Sequence, residues 1–396
     1  MQARVQESTL VILQQWTYKT PCPIREAQMN TVISDPRFDG RFRGRLMQIF
    51  LYLTDECNIR CVQCYYKPSL TKRPVEIPTQ TAVALLEKFR ELGALKVTFL
   101  GGEPTLYGKM PGNKPLSFMV DAARRLGFEY IRTVTNGLFD PSLLQNQHLQ
   151  EIDEITFSID GDTAEIHNAL RGRTTYERSV ENLRAAVRLG YNVHVTMCVH
   201  RANVGRDSGG TLLLSRAINW AASLGVKSFN LHPLFQMGVA RDAWTGETDI
   251  DPVEWLEVYR ELRSLSDRGV YRIPVRVPLR FVTAAEFERK PGAYGYCSIK
   301  LADRLDVHPS GHIHTCALHN STSVAIANFE EKDQQIRIGW SAKNNELEHY
   351  PFKEDEQHPC LVMKGFKNGL QPLCISLKPG QEEFVWKRLH MDEVTL

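Results

Sequence analysis

The chain has 396 residues, of which 42% are hydrophobic and 24% charged, and a formal net charge of +2. That length suits two or three domain-sized units with a sizeable core, and the composition is that of an ordinary globular protein. Near-neutral charge gives no field for a nucleic-acid or anionic-membrane partner, and no run of eighteen apolar residues offers a bilayer span.

The opening Met-Gln-Ala-Arg-Val-Gln-Glu lacks the basic and apolar regions of a secretory signal. Nine cysteines, an odd number in clusters, disfavour a disulfide framework. A reducing cytoplasm is the expected location. Residues 1–45 form a lead-in without a sustained period. It contains Pro21-Cys22-Pro23, a turn or extended strap because proline fixes φ and removes a donor; Cys22 reads as a bystander.

From Gln48 onward, apolar runs alternate with amphipathic stretches. The strands are expected at Ile49–Leu53, Lys96–Leu100, Tyr130–Val134, Glu154–Ile159, Asn192–Val199 and Ser228–Leu234, and the helices between them at Thr79–Leu92, Leu116–Leu126, Pro141–Leu149, Tyr176–Leu189 and Thr211–Leu224. In the first helix Val83, Leu85, Leu86, Phe89 and Leu92 follow the 3.6-residue period. Gly93, Gly127, Gly190 and Gly225 each follow a helix, where a left-handed C-cap is wanted. Strand–helix–strand repetition with such short joints calls for a parallel α/β sheet covered by helices. A further helix, Pro252–Arg268, starts after Asp251 as N-cap. Pro274, Pro278 and Pro291 then break the pattern and place a boundary near Arg272–Gly292. The resulting division is lead-in 1–45, α/β unit 46–270, and linker plus C-terminal unit 271–396.

Just after the first strand stand Cys57, Cys61 and Cys64, spaced C-x3-C-x2-C. A structural zinc site wants four ligands. A four-iron, four-sulfur cluster on three thiolates instead leaves one iron open to a substrate or cofactor. Tyr65 follows the last cysteine and is placed to wall off such a cluster. Three further motifs close later strands: Gly101-Gly102-Glu103-Pro104, Thr135-Asn136-Gly137, and Ser158-Ile159-Asp160-Gly161 with His167 and Arg171 beyond it. Glycines permit close backbone approach, and Glu103 can accept from an ammonium group. Ser158 and Asp160, two residues apart, suit vicinal ribose hydroxyls. Arg171 either reaches a carboxylate or is a solvated surface arginine. Asn136 reads more as a turn former than as a ligand. His200, Asn203 and His232, near later strand ends, are as easily satisfied polar residues as ligands.

These four motifs, in this order over roughly Gln48 to Gly238, resemble the radical S-adenosylmethionine (radical SAM) family. The resemblance implies a partial (β/α)6, TIM-like barrel with the motifs at its mouth. It implies a [4Fe-4S] cluster on Cys57, Cys61 and Cys64 and S-adenosylmethionine on its open iron. Tyr65, Gly101, Gly102, Glu103, Asn136, Ser158, Asp160 and Arg171 are the implied cofactor-binding residues. The implied chemistry is reductive cleavage to a 5′-deoxyadenosyl radical that abstracts a hydrogen atom, with flavodoxin or ferredoxin as the kind of external reductant.

The C-terminal unit carries Cys297, Cys316, Cys360 and Cys374, with Pro309-Ser310-Gly311 as a hairpin turn before Cys316. Cysteine followed at a distance by G-x4-C resembles the opening of the family's SPASM or shorter twitch domains, but the dense C-x2-C-x5-C-x3-C run is missing. A twitch-like domain with one auxiliary [4Fe-4S] cluster is the expectation; zinc, with His312, His314 or His319, and unliganded thiols remain open. The short lead-in tilts the substrate toward a small molecule or short peptide. The rival class is an iron–sulfur electron-transfer or metal-binding protein without SAM chemistry. Arg124, Arg125 and Arg184 read as solvated helix faces, not as a nucleic-acid surface.

Overall fold

A computed structural model describes residues 31–66, 74–234, 250–277, 302–316 and 325–341, with short stretches at 239, 281–283, 285, 289 and 370–372. Cys22, Cys297, His319, Cys360 and Cys374 lie outside these residues.

The end of the lead-in forms β1 (Thr31–Ser34) and α1 (Pro36–Phe42). Asp35 caps the helix by accepting from Arg37 N, and Phe38 and Phe42 are wholly buried. A helix of two turns is too short to show a period, which is why the sequence reads as featureless there.

The six expected strands all form, as β2 (Gln48–Thr54), β3 (Lys96–Gly101), β4 (Tyr130–Thr135), β5 (Glu154–Ser158), β6 (Val193–Val199) and β7 (Ser228–Pro233). They pair in parallel in chain order. Between and after them run α2 (Thr79–Leu92), α3 (Leu116–Arg125), α4 (Ala164–Arg171), α5 (Tyr176–Arg188), α6 (Arg201–Val204), α7 (Leu213–Ser223) and α8 (Pro252–Asp267). Gly93 ends α2 in the left-handed region at φ 119°, and Asp251 caps α8 by accepting from Val253 N and Glu254 N. The segment 141–149 departs from expectation: it makes two short 3₁₀ turns, Pro141–Gln145 and Leu149–Glu151, in place of a helix.

Alternation along the strands divides the sheet into two faces. Ile49, Leu51, Val97, Phe99, Phe157, Val193, Val195 and Phe229 are wholly buried in one continuous core with the helices. Each such side chain contributes about 1.5–3 kcal/mol. The residues between them on the other face are mostly polar: Lys96, Arg132, Glu154, Thr156, His194, Ser228 and Asn230. A barrel whose interior were only a packed core would not place them there, since buried polar groups cost free energy unless partnered.

β8 (Val275–Arg276) pairs with β7 as one edge of the sheet, and a small separate pair joins β9 (Phe281–Thr283) to a later strand, Leu370–Pro372. On the other side the sheet continues beyond β2. β10 (Arg304–Val307) pairs with it in parallel, followed by antiparallel β11 (His312–His314), β12 (Ala327–Lys332) and β13 (Gln335–Trp340), with β1 at the far edge. The Leu370–Pro372 strand is β14. The sheet is therefore open, and its C-terminal hairpins extend the barrel's own strands. The Pro309–Gly311 turn forms as read, with Gly311 at φ 85° donating to His308 O.

Candidate active site

The cysteine loop leaves β2 at Thr54 and is held by the ends of three neighbouring strands. Against β3 the contact is backbone on backbone: Gly102 N donates to Thr54 O at 2.8 Å and Glu103 N to Glu56 O at 2.7 Å. A Cβ on Gly102 would lie 2.2 Å from Glu56 O, and one on Gly101 2.5 Å from Thr54 O. The two glycines thus serve close approach, but of the cysteine loop itself rather than of a ligand.

Glu103 turns inward and is 1% exposed. Its Oε1 accepts from Thr105 N, Thr105 Oγ1 and Thr135 Oγ1, and its Oε2 from Asn136 N at 2.7 Å. Burial pushes its pKa up against these donors. The carboxylate clamps the end of β3 to the end of β4, and only Oε2 retains room for another donor.

Asn136 is both turn former and contact. Its Oδ1 accepts from Leu138 N, while its amide donates to Asn58 Oδ1 at 2.7 Å and approaches Cys57 Sγ at 3.9 Å. Asn58 in turn donates to Leu138 O.

Asp160 does not stand open beside Ser158 as a ribose contact would. It is wholly buried; Oδ2 accepts from Gln63 Nε2 and Arg171 Nε, both at 2.6 Å, and Oδ1 from Cys198 N at 2.7 Å. A carboxylate at zero exposure must be paired. Its partner Arg171 reaches a carboxylate, that of Asp160 itself, and is no surface arginine, for its side chain is only 12% exposed and its Nη1 lies 3.9 Å from Cys61 Sγ. Val62 N also donates to Leu170 O, so α4 carries the guanidinium and holds the loop at once. His167 is buried behind this pair, with its pKa down to about 4 through burial and then Arg171. Ser158 remains partly exposed at the end of β5.

Tyr65 meets the hydroxyl of Tyr52 at 2.9 Å, and Tyr66 stacks on Tyr52 with ring centroids 4.8 Å apart. His200 and Asn203 form a capping box at α6, and Asn203 also donates to Asp160 O. Asn203 is thus a satisfied polar residue, whereas His200 Nε2 is buried without a hydrogen-bond partner. Gln63 and Asn58 carry no motif of their own; lying between the cysteines is their only signal.

The three thiols are partly exposed. Burial raises Cys57 to about 11 and Cys61 to about 12, in the latter case against Arg171. Among the described residues no three His, Cys, Asp or Glu side chains gather tightly enough for a single metal ion. A cubane asks for something different: thiols around a cavity, each on its own iron. The donor set fits that group, because two of the sulfurs already face N–H donors of the kind that stabilise cluster-bound thiolate. Cys57, Cys61 and Cys64 would hold it. In the C-terminal region only Cys316 is described, partly exposed just after β11.

Residues 51–205 match the family model described as the Radical SAM superfamily. Among curated proteins, a probable GTP 3′,8-cyclase of Saccharolobus islandicus is 24% identical over 245 residues, covering 59% of this chain and 73% of that one. The PqqA peptide cyclase of Streptomyces rochei is 26% identical over 184 residues, and the match covers 46% of this chain and 47% of the cyclase, about half its length. Among solved structures, Streptococcus suis SuiB bound to its precursor peptide SuiA superposes with a TM-score of 0.55 at 13% identity, over 71% of this chain and 62% of SuiB. That likeness shows the shared fold.

Proposed function

We propose that the protein is a radical SAM enzyme, a reading supported by the match of residues 51–205 to that superfamily's model, and that it removes a hydrogen atom from a small molecule or short peptide. The observation that carries this reading is the cysteine loop, locked by Glu103, Asn136, Asp160 and Arg171 at the rim of a polar inner face. An electron-transfer module has no use for such a face.

When bound, a [4Fe-4S] cluster and S-adenosylmethionine supply a 5′-deoxyadenosyl radical on one-electron reduction. The chain's own residues do the placing. Cys57, Cys61 and Cys64 provide the sulfurs and give up their protons to do so, because thiolates are the ligands. Arg171 and Asn136 direct N–H groups at two of those sulfurs. The free capacity of Glu103 Oε2 suits the cofactor's ammonium, and Ser158 its hydroxyls. Gly101 and Gly102 keep the strand end and the loop in register. Tyr65, its hydroxyl on Tyr52, ties the end of the cysteine loop back to β2.

GTP in the one relative's name and peptides in the others set the range of substrates, with the hydrogen-bearing carbon presented at the mouth. We further infer one auxiliary cluster on Cys297, Cys316, Cys360 and Cys374, a flavodoxin- or ferredoxin-type reductant and a cytoplasmic setting. No helix among the described residues is long and apolar enough to cross a membrane.

Anaerobically reconstituted protein given S-adenosylmethionine and dithionite forms 5′-deoxyadenosine. The triple variant Cys57→Ala, Cys61→Ala, Cys64→Ala forms none and keeps about four irons per chain, those of the auxiliary site. Intact S-adenosylmethionine over a reduced native cluster would instead identify an electron-transfer protein; an iron-free triple variant would remove the auxiliary cluster from the account.

A further inference from the structure

Among the described residues, two free cysteines lie outside the cysteine loop, Cys198 and Cys316. Cys198 is on β6, at the mouth of the α/β unit. Its neighbours Met197 and Val199 are buried in the core, so alternation turns Cys198 to the inner face of the sheet. The thiol is partly exposed there. Its backbone is fixed on both sides: Cys198 N donates to Asp160 Oδ1 at 2.7 Å, and Cys198 O accepts from Asn203 Nδ2 at 2.8 Å. The Arg171 guanidinium, which approaches Cys61 Sγ, is within electrostatic reach of Cys198 as well. One cation is thus shared by a sulfur of the cysteine loop and a thiol outside it.

The register fixes what this thiol can reach. Ser158 pairs with Thr196, and Cys198 is two residues further along β6 toward the mouth. Adjacent strands lie ~4.8 Å apart and two residues advance ~6.6 Å, so the Cα positions of Ser158 and Cys198 are roughly 8 Å apart. His200, two residues beyond Cys198, is a second and independent sign of a ligand. Its backbone is extended at φ −144° and ψ 155°, which keeps its side chain on the same face. Nδ1 accepts from Ala202 N at 3.0 Å, so the neutral ring carries its proton on Nε2. Burial lowers its pKa and favours that neutral ring. His200 is 8% exposed, and its Nε2–H has no acceptor. A buried donor without a partner is a cost that folding does not explain and that an acceptor on a ligand offsets.

We propose that Cys198 is a catalytic hydrogen-atom donor, which returns hydrogen to the substrate radical while His200 Nε2–H holds an acceptor group of that substrate. The assignment deepens the hydrogen-abstraction reading and rests on it. Once a hydrogen atom has left the substrate, the carbon radical takes the hydrogen of Cys198, because an S–H bond is weaker than a C–H bond. A C–H bond forms, the S–H bond breaks, and the unpaired electron passes to sulfur. One electron from the flavodoxin- or ferredoxin-type reductant and one proton from solvent restore the thiol. The substrate therefore leaves at its original oxidation level, inverted or rearranged at the reacting carbon. The hydrogen bond from His200 fixes that carbon beside the thiol, which is what makes the transfer fast.

The test needs no identified substrate, because the uncoupled 5′-deoxyadenosyl radical is itself a carbon radical in the site. Reconstituted native chain, freed of low-mass thiols, is given S-adenosylmethionine and dithionite in deuterium oxide, where the thiol of Cys198 is S–D. Mass spectrometry of the 5′-deoxyadenosine then shows deuterium at C5′, and the label is lost from whatever 5′-deoxyadenosine Cys198→Ser and Cys198→Ala form. In a parallel reaction with a nitrone spin trap, the native peptide that contains Cys198 gains the mass of the trap. Iron content is the same in the native chain and both variants. Unlabelled 5′-deoxyadenosine from the native chain, label that persists in the variants, or a trap that never reaches Cys198 overturns the donor role alone. Loss of iron in Cys198→Ser makes the residue a cluster ligand and overturns it too. No 5′-deoxyadenosine at all from the native chain removes the radical reading, and the donor role with it.

Discussion

Replacing Arg171 by methionine destabilises the fold by about 3–5 kcal/mol, the cost of leaving a buried carboxylate without its ion partner. Asp160 is wholly enclosed, and after the substitution only Gln63 Nε2 and Cys198 N still donate to its side chain. A surface arginine such as Arg37, whose side chain is 58% exposed in its pair with Asp35, costs at most about 1 kcal/mol on the same treatment. Adding Asp160→Asn to the Arg171 variant recovers much of the loss, because the unpaired charge is then gone. A double-mutant cycle by denaturant unfolding reads the coupling directly. Strict additivity of the two substitutions would mean that the pair does not act as a unit. The same guanidinium approaches Cys61 Sγ, so its loss also moves the reduction potential of a reconstituted cluster to more negative values.

The second large effect belongs to Gly102. A methyl group placed 2.2 Å from Glu56 O meets a backbone oxygen, not the end of a flexible side chain. Either β3 or the cysteine loop must move, and roughly 3 kcal/mol is lost, the upper end of what overpacking costs. Since the displaced partner precedes Cys57 by one residue, Gly102→Ala loses cluster as well as stability. Gly40, inside α1 with nothing within 4 Å of its Cβ position, is the control. Gly40→Ala leaves iron content unchanged and gains about 0.5–1 kcal/mol. Full iron incorporation in Gly102→Ala would show that the glycine turn does not set the loop.

What the sequence reveals and what it withholds follow from the range of the interactions. Strands β2 to β7 announce themselves through local alternation, and the helices α2, α5 and α8 through a period sustained over three turns or more. Asp140-Pro141 and Asp251-Pro252 look like equal helix starts. After Pro252 the apolar residues Trp255, Leu256, Tyr259 and Leu262 keep to one face; after Leu144 the polar Gln145-Asn146-Gln147-His148 interrupts, and only 3₁₀ turns form. The cysteines, the glycine turn and the Ser158–Asp160 stretch are visible as spacing. Their connections are not. Gln63 reaches Asp160 across 97 residues and Arg171 reaches Cys61 across 110, so neither bond leaves a local trace. That is why the sequence offers Asp160 as a ribose contact and Arg171 as either a carboxylate contact or a surface arginine, while in the structure they stand as a buried pair bracing the loop.

The central claim is that three thiolates leave one iron open and that S-adenosylmethionine binds there. Electron–nuclear double resonance on the reduced, reconstituted protein tests it directly, using S-adenosylmethionine isotopically labelled at its amino nitrogen. The account predicts a hyperfine coupling between the label and the cluster that disappears when Cys57, Cys61 and Cys64 are replaced. A reduced cluster on those three cysteines that shows no coupling to the label would contradict it.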